Sequence, residues 1–226
     1  SQSYNVIASK KPGRGHGTGK VVLVGAHLDS VSVGTGANDN ASGVAIVLEA
    51  ARILSRYDLA SEVRFLVFGA EEIGLVGSNY YVNSLSPEEL SRIIGMINMD
   101  MVGVGDACSS GNVGDVDWLV EFGVATADEM GLEMANATMG TNSDHWPFEN
   151  AGVPVNFVTW RPDPYYHTSG DTIDKIVISN LDWVGDIVTS NIYDLAKTPL
   201  PESMTGLMAK AKKYTSVNLD REIQAK

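Results

Sequence analysis

Short apolar runs alternating with helical patterns predict an α/β protein, a three-layer α/β/α sandwich around a mixed, mainly parallel sheet. Two observations carry that expectation. Val21–Gly25, Val63–Phe68 and Ile93–Ile97 are near-continuous apolar runs, as strands covered on both faces are, and stretches of helical period separate them. Residues of metal-ligand type then follow the runs: His27 after the first, Glu71 and Glu72 after the second, Asp100 after the third. In a parallel sheet the functional groups collect where strands end at their carboxyl edge.

Each element has its own signal. Tyr4–Ala8 and Val21–Gly25 are β-branched runs joined by the Gly-rich PGRGHGTG, a pattern that suggests a hairpin. From Ala41 to Tyr57, Val44, Val47, Leu48, Ala51 and Leu54 recur at helical spacing and predict an amphipathic helix. Val63–Ala70 reads as a buried strand and Gly77–Leu85 as a short helix. Ser86, Pro87 and Glu89 mark a helix start with a capping box. Ile93–Met99 is the next buried strand, and Asp117–Met130 a helix stopped by Gly131. Val153–Thr159 is another strand and Leu181–Ala196 a long helix. From Thr198 the chain turns polar and basic, so 1–197 is expected to be one domain and 198–226 a tail.

A chain of 226 residues with 44% hydrophobic and 19% charged residues fits one globular domain with a substantial core. A net charge of −12 argues against nucleic acid or an anionic membrane as partner, since those surfaces are bound through Lys and Arg clusters. No apolar stretch approaches the roughly 20 residues of a membrane span. Cys108, the single cysteine, rules out an intrachain disulfide and a cysteine-based zinc site. The sequence opens at Ser1 rather than Met, which suggests processing or trimming.

The stations at the strand ends each have a plain reading. His27 is a polar residue closing a strand, Asp39 an acidic residue before a helix, and Glu71–Glu72 a solvated turn. Together with His167 they match what a two-zinc hydrolase needs: oxygen and nitrogen ligands from scattered elements, with one carboxylate shared between the ions.

The segments GAHLDSV, GANDNASG, FGAEEIGLVGS, INMDMVG, NSDHWPFENAGVPV and YYHTSGDT resemble the motifs of the co-catalytic di-zinc aminopeptidases. Bacterial leucine aminopeptidases and aminopeptidase Y belong to that group, with glutamate carboxypeptidase and glutaminyl cyclase as distant relatives. The likeness runs from Asn5 to Ala196 in the family's order. It implies the zinc-exopeptidase (phosphorylase/hydrolase-like) fold and a catalytic domain over 1–197. It further implies two Zn²⁺ per chain, His27 and Asp100 on one, Glu72 and His167 on the other, and Asp39 bridging both.

In this resemblance Glu71 is the general base, a metal-bridging hydroxide the nucleophile, and Tyr166 a donor to the tetrahedral oxyanion. Two zinc ions set against three carboxylates and a hydroxide come out neutral, as a buried site requires. Asp29 is expected to orient the His27 ring by accepting its other N–H. Asp144 and His145 are expected to lie just behind the ligands. Met101, Phe157 and Trp160 are candidates for an apolar pocket, and Asp182 with Asp186 for a calcium site, although core packing and a solvated face compete for these.

Some family members carry Arg where this chain has Asn142, so a substrate amine would rest on Glu71, Asp100 and backbone. The implied substrate is a peptide with a free, apolar N-terminal residue, and the implied location is extracytoplasmic. Other divalent metals can substitute for zinc in this picture, and the late start of the chain suggests a missing N-terminal segment. A glutaminyl-cyclase-like single-zinc transferase, a carboxypeptidase and a non-catalytic receptor-type relative are the alternatives. Arg161 is the one arginine near the site that a carboxypeptidase would use.

Overall fold

The computed structural model describes residues 2–13, 15, 17–114 and 118–197. The expected tail at 198–226 and the expected helix start at Asp117 lie outside these residues. Among the described residues seven strands form one mixed sheet: β1 (Val6–Lys10), β2 (Val21–His27), β3 (Glu62–Phe68), β4 (Ile93–Met99), β5 (Ala107–Asn112), β6 (Met134–Thr138) and β7 (Val155–Arg161). Their spatial order is β1-β3-β2-β4-β7-β5-β6. The four central strands β3, β2, β4 and β7 run parallel, while β1 is antiparallel to β3 and β5 is antiparallel to β7. Among the described residues six α-helices complete the fold: α1 (Ser42–Leu54), α2 (Val76–Ser84), α3 (Pro87–Arg92), α4 (Trp118–Glu129), α5 (His145–Asn150) and α6 (Ile178–Ala196).

The period-2 geometry of a strand divides the apolar residues of β2 between two cores. Val22, Val24 and Ala26 pack with Ile46, Val47 and Leu54 of α1, Phe122 of α4 and Val184, Val188 and Ile192 of α6. Val21 and Leu23 point the other way, onto Tyr81 and Val82 of α2 and Phe148 of α5. Helices therefore cover both faces, which is the expected sandwich. Because every residue of β2 and β4 is buried, alternation is absent from their sequences.

Two expectations need correction, and two strands were not anticipated. β1 does not form a hairpin with β2. A strand has only two hydrogen-bonding edges, and β2 uses both on its parallel neighbours β3 and β4, so β1 is left with the outer edge of β3. In α1 the buried stripe is Ile46, Val47, Ala50 and Leu54, whereas Leu48 is 62% exposed. Strands β5 and β6 were not expected. Their sequences, ACSSGN and MANAT, hold mostly small and polar residues and lack a β-branched apolar run. The signals for α3 were sound: Ser86 accepts from the Glu89 N–H, and the Glu89 carboxylate accepts from the Ser86 N–H.

Candidate metal centre

Parallel β2, β3 and β4 deliver their C-terminal ends to one edge. His27 closes β2, Asp100 follows Met99 at the end of β4, and Glu71 and Glu72 follow the turn after β3. Asp39 comes from the irregular turn Ala37–Ala41 ahead of α1, and His167 from the loop after β7. The peptide between Asp39 and Asn40 is cis. Gly43 lets α1 start close to this edge, because a Cβ there would stand 2.6 Å from both the Asn40 Oδ1 and the Met99 carbonyl.

The Asp39 carboxylate stands between two imidazoles. Its Oδ1 lies 3.1 Å from His27 Nε2, which is also 3.3 Å from Asp100 Oδ1. Its Oδ2 lies 3.2 Å from His167 Nε2, which is 3.1 Å from Glu72 Oε2. His27, Asp39 and Asp100 thus form one donor set and Asp39, Glu72 and His167 a second. Ligands about 2.0 Å from a tetrahedral zinc sit about 3.3 Å from one another, so these separations suit the ion. Glu72 Oε1 is buried without a hydrogen-bond partner, as a carboxylate reserved for a cation would be. The set of two imidazoles and hard oxygens, with no thiolate, also fits zinc.

The network behind these donors fixes their aim. His27 Nδ1 donates to the Asp29 main-chain carbonyl at 3.0 Å, which turns Nε2 toward Asp39 and Asp100. The Asp29 carboxylate, expected on that ring, is 3.8 Å from it and instead accepts the Glu71 and Glu72 N–H groups at 3.0 and 3.2 Å. Two adjacent N–H groups are a better match for a carboxylate than one ring N–H already taken by a carbonyl. Sequence reasoning missed the Asp39 supports. Asp171 accepts the N–H groups of Asn38 and Asp39 at 2.7 and 3.1 Å, tying the Asp39 turn to the His167 loop. Asn40 donates to the Met99 carbonyl and accepts from Gly43, tying it to β4 and α1. The Asn-Asp-Asn run carried a turn signal for Asn40, whereas nothing local to Asp171 marks its reach across the fold.

Burial, the largest single effect, would depress the His27 pKa, but the carboxylates around it, Asp100 first and then Asp39 and Glu71, together raise the value well above 6.5. Asp100 is lowered: its burial, the largest single effect, works the other way, but the His27 charge and hydrogen bond, the Ser143 hydroxyl and Arg161 together outweigh it. In the metal-free site the proton on His27 is the positive charge that these carboxylates demand. Glu71 is pushed up to about 8, first by burial and then by Asp100, Asp144 and Glu72 against the lowering effect of His27. It reaches within 4.8 Å of His27 and Glu72 donor atoms and lines the cleft with them.

A sequence profile of Peptidase family M28 matches residues 5–192. The chain belongs to peptidase family M28. Aminopeptidase YwaD of Bacillus subtilis is 39% identical to it over 206 residues, 86% of this chain and 45% of that protein. Leupeptin-inactivating enzyme 1 of Streptomyces exfoliatus is 38% identical over 88% of this chain and 50% of its own length. The solved aminopeptidase from Aneurinibacillus sp. strain AM-1 superposes with a TM-score of 0.82 at 40% identity, covering 85% of this chain and 48% of that one. BSAP, a zinc aminopeptidase from Bacillus subtilis, gives 0.81 at 36%, covering 88% and 52%. This M28 chain spans about half the length of the relatives it matches.

The remaining expected residues of the M28 site divide between cleft and core. A cleft of about 390 Å³ opens over the donors, lined in part by Leu75, Met101, Asn142, Arg161 and Tyr166. Tyr166 stacks on His167 with ring centroids 3.8 Å apart, and burial with nearby Asp39 raises its pKa, so the phenol keeps its proton. Phe157 and Trp160 do not line the cleft. They are core residues, Phe157 stacked on His145 and Trp160 against Trp183, because both sit within β7 rather than past its end.

Asp144 is fully buried and pushed up to about 7, by burial first, with Asp100 and Asp29 adding to it against the lowering effect of His27. His145 bonds the Gly140 carbonyl at 2.9 Å and belongs to neither donor set. Asp182 and Asp186 are exposed on α6 and join no metal-type cluster among the described residues.

Proposed function

We propose that this chain is the catalytic part of a two-zinc aminopeptidase that removes N-terminal, apolar residues from peptides. The observation that carries the reading is the Asp39 carboxylate, which offers one oxygen to each of two imidazole–carboxylate sets. Two named aminopeptidases among the relatives and solved neighbours, one of them described as a zinc enzyme, support it.

His27, Asp39 and Asp100 would hold one ion, and Asp39, Glu72 and His167 the other. When bound, the pair supplies Lewis acidity toward water and the scissile carbonyl. Glu71, adjacent in sequence to Glu72 and fixed by the Asp29 bonds to both main-chain N–H groups, accepts a proton from the attacking water. It then returns that proton to the leaving amine. Tyr166 donates its O–H toward the oxygen that gains charge at the tetrahedral stage. Asp100 and Glu71 receive the substrate ammonium, and Leu75 and Met101 give the first side chain an apolar wall.

Glu71→Gln tests the assignment. It removes the base while keeping size and hydrogen bonding, so kcat on an aminoacyl-anilide is expected to fall about 10²- to 10⁴-fold with zinc still bound. Wild-type rates in this variant would refute the role of Glu71. Metal content tests the pair: elemental analysis is expected to return two zinc per chain, and dialysis against a chelator to abolish hydrolysis. A value near one would favour the single-zinc transferase instead.

A further inference from the structure

Arg161 has no part in the chemistry just described, yet it stands in the same cleft. It is the last residue of β7, the fourth parallel strand, and so reaches the same sheet edge as His27 and Asp100. Among the residues lining the cleft it is the single Lys or Arg, beside Asp39, Glu71, Glu72 and Asp100.

A guanidinium among carboxylates ordinarily pairs with one. Arg161 makes no side-chain hydrogen bond or ion pair with a described residue, and its close partner is the Tyr166 ring, whose centroid lies 5.6 Å from Cζ. The carboxylates are directed at the two imidazoles instead, so the guanidinium fork is free to accept a planar anion from outside. Such a fork matches a carboxylate through two parallel N–H···O bonds. The stacked ring holds the side chain in place and cuts the entropy cost of binding.

We propose that Arg161 is a carboxylate subsite of the cleft and makes the enzyme selective for peptides with an acid group just past the scissile bond. That group is either the C-terminal carboxylate of a dipeptide or an acidic side chain on its second residue. The inference rests on the aminopeptidase reading, to which it adds a substrate class. The cleft volume is at the lower end of the 300–1,000 Å³ typical of small-ligand sites, which suits short peptides.

The test is a comparison of kcat/KM with the zinc-loaded full chain on Leu-Ala, Leu-Ala-amide, Leu-Asp-amide and Leu-Asn-amide. Wild-type protein is expected to prefer the free acid over its amide about 10-fold or more, or the Asp over the Asn amide by a similar factor. The first result assigns the C-terminus as ligand and the second the side chain. Arg161→Gln is expected to shrink that preference toward unity, chiefly through KM, and Arg161→Lys to restore part of it.

An equal fall on all four substrates would overturn the proposal and leave Arg161 as a positioning residue for Tyr166. Wild-type protein that cleaves all four equally would overturn it without any variant. No cleavage of any substrate by the zinc-loaded wild type would sink the aminopeptidase reading itself, and the subsite with it.

Discussion

Ala70, Leu75, Met101 and His167 are the non-glycine residues with a left-handed backbone among those described, and all four belong to the rim of the metal centre. Ala70 precedes Glu71, Met101 follows Asp100, and Leu75 and His167 line the cleft. Each such residue costs about 1–2 kcal/mol relative to an ordinary conformation. The strain is stored where the donors must turn sharply off their strands. Ala70→Gly is therefore expected to stabilise the protein by roughly 0.5–1 kcal/mol, readable as a higher midpoint in urea.

Asp144 supplies a pH-dependent counterpart. Its folded pKa of about 7 lies above the ordinary 3.8, so its contribution to stability is fully present below the ordinary value. That contribution is lost as pH rises through about 7, by at most about 4 kcal/mol. In metal-free protein, Asp144→Asn is expected to raise the melting temperature at pH 8 and to change it little near pH 4. The opposite pattern would refute the assignment. At this scale the donors were legible in the sequence because ligand types sit at the ends of buried runs. Asp171 was not, because a carboxylate that binds main-chain N–H groups across the fold leaves no local pattern.

Strands β2 and β4 carry the sheet, and their burial on both faces makes them the least tolerant elements. Leu23 is wholly buried between β2 and the α2–α5 layer, so Leu23→Ala is expected to cost about 2–5 kcal/mol in chemical denaturation. A cost under 1 kcal/mol would mean that the layer closes around the gap. Elements like these were legible because dense burial writes a continuous apolar run. The pairing of β1 and the existence of β5 and β6 were not. Pairing depends on which strand edges remain free, and β5 earns its place through close approach rather than hydrophobicity. At Gly111, a Cβ would fall 1.8 Å from the Ala137 carbonyl of β6.

For the molecule as a whole, the metal centre is a concentration of negative charge closed into the end of a sheet. Without cations the carboxylates repel, and the raised pKa values of Glu71 and Glu72 record first the cost of burial and then that repulsion. Zinc is expected to raise the melting temperature by several degrees at saturating concentration, and a chelator to reverse the gain. An unchanged midpoint on adding zinc would contradict a bridged pair at Asp39.

The strand order has a consequence for how the protein is made. Among the described residues β7 is the last strand in the sequence, yet it enters between β4 and β5, and the loop after it brings both His167 and the Asp171 clamp on the Asp39 turn. A nascent chain that ends before Val155 holds His27, Asp39, Glu72 and Asp100 but has neither the second imidazole nor the tie that sets the shared carboxylate. On the two-zinc reading, capture of zinc as a pair therefore waits until β7 and the loop after it are in place. Zinc retained by stalled nascent chains of increasing length would time that event.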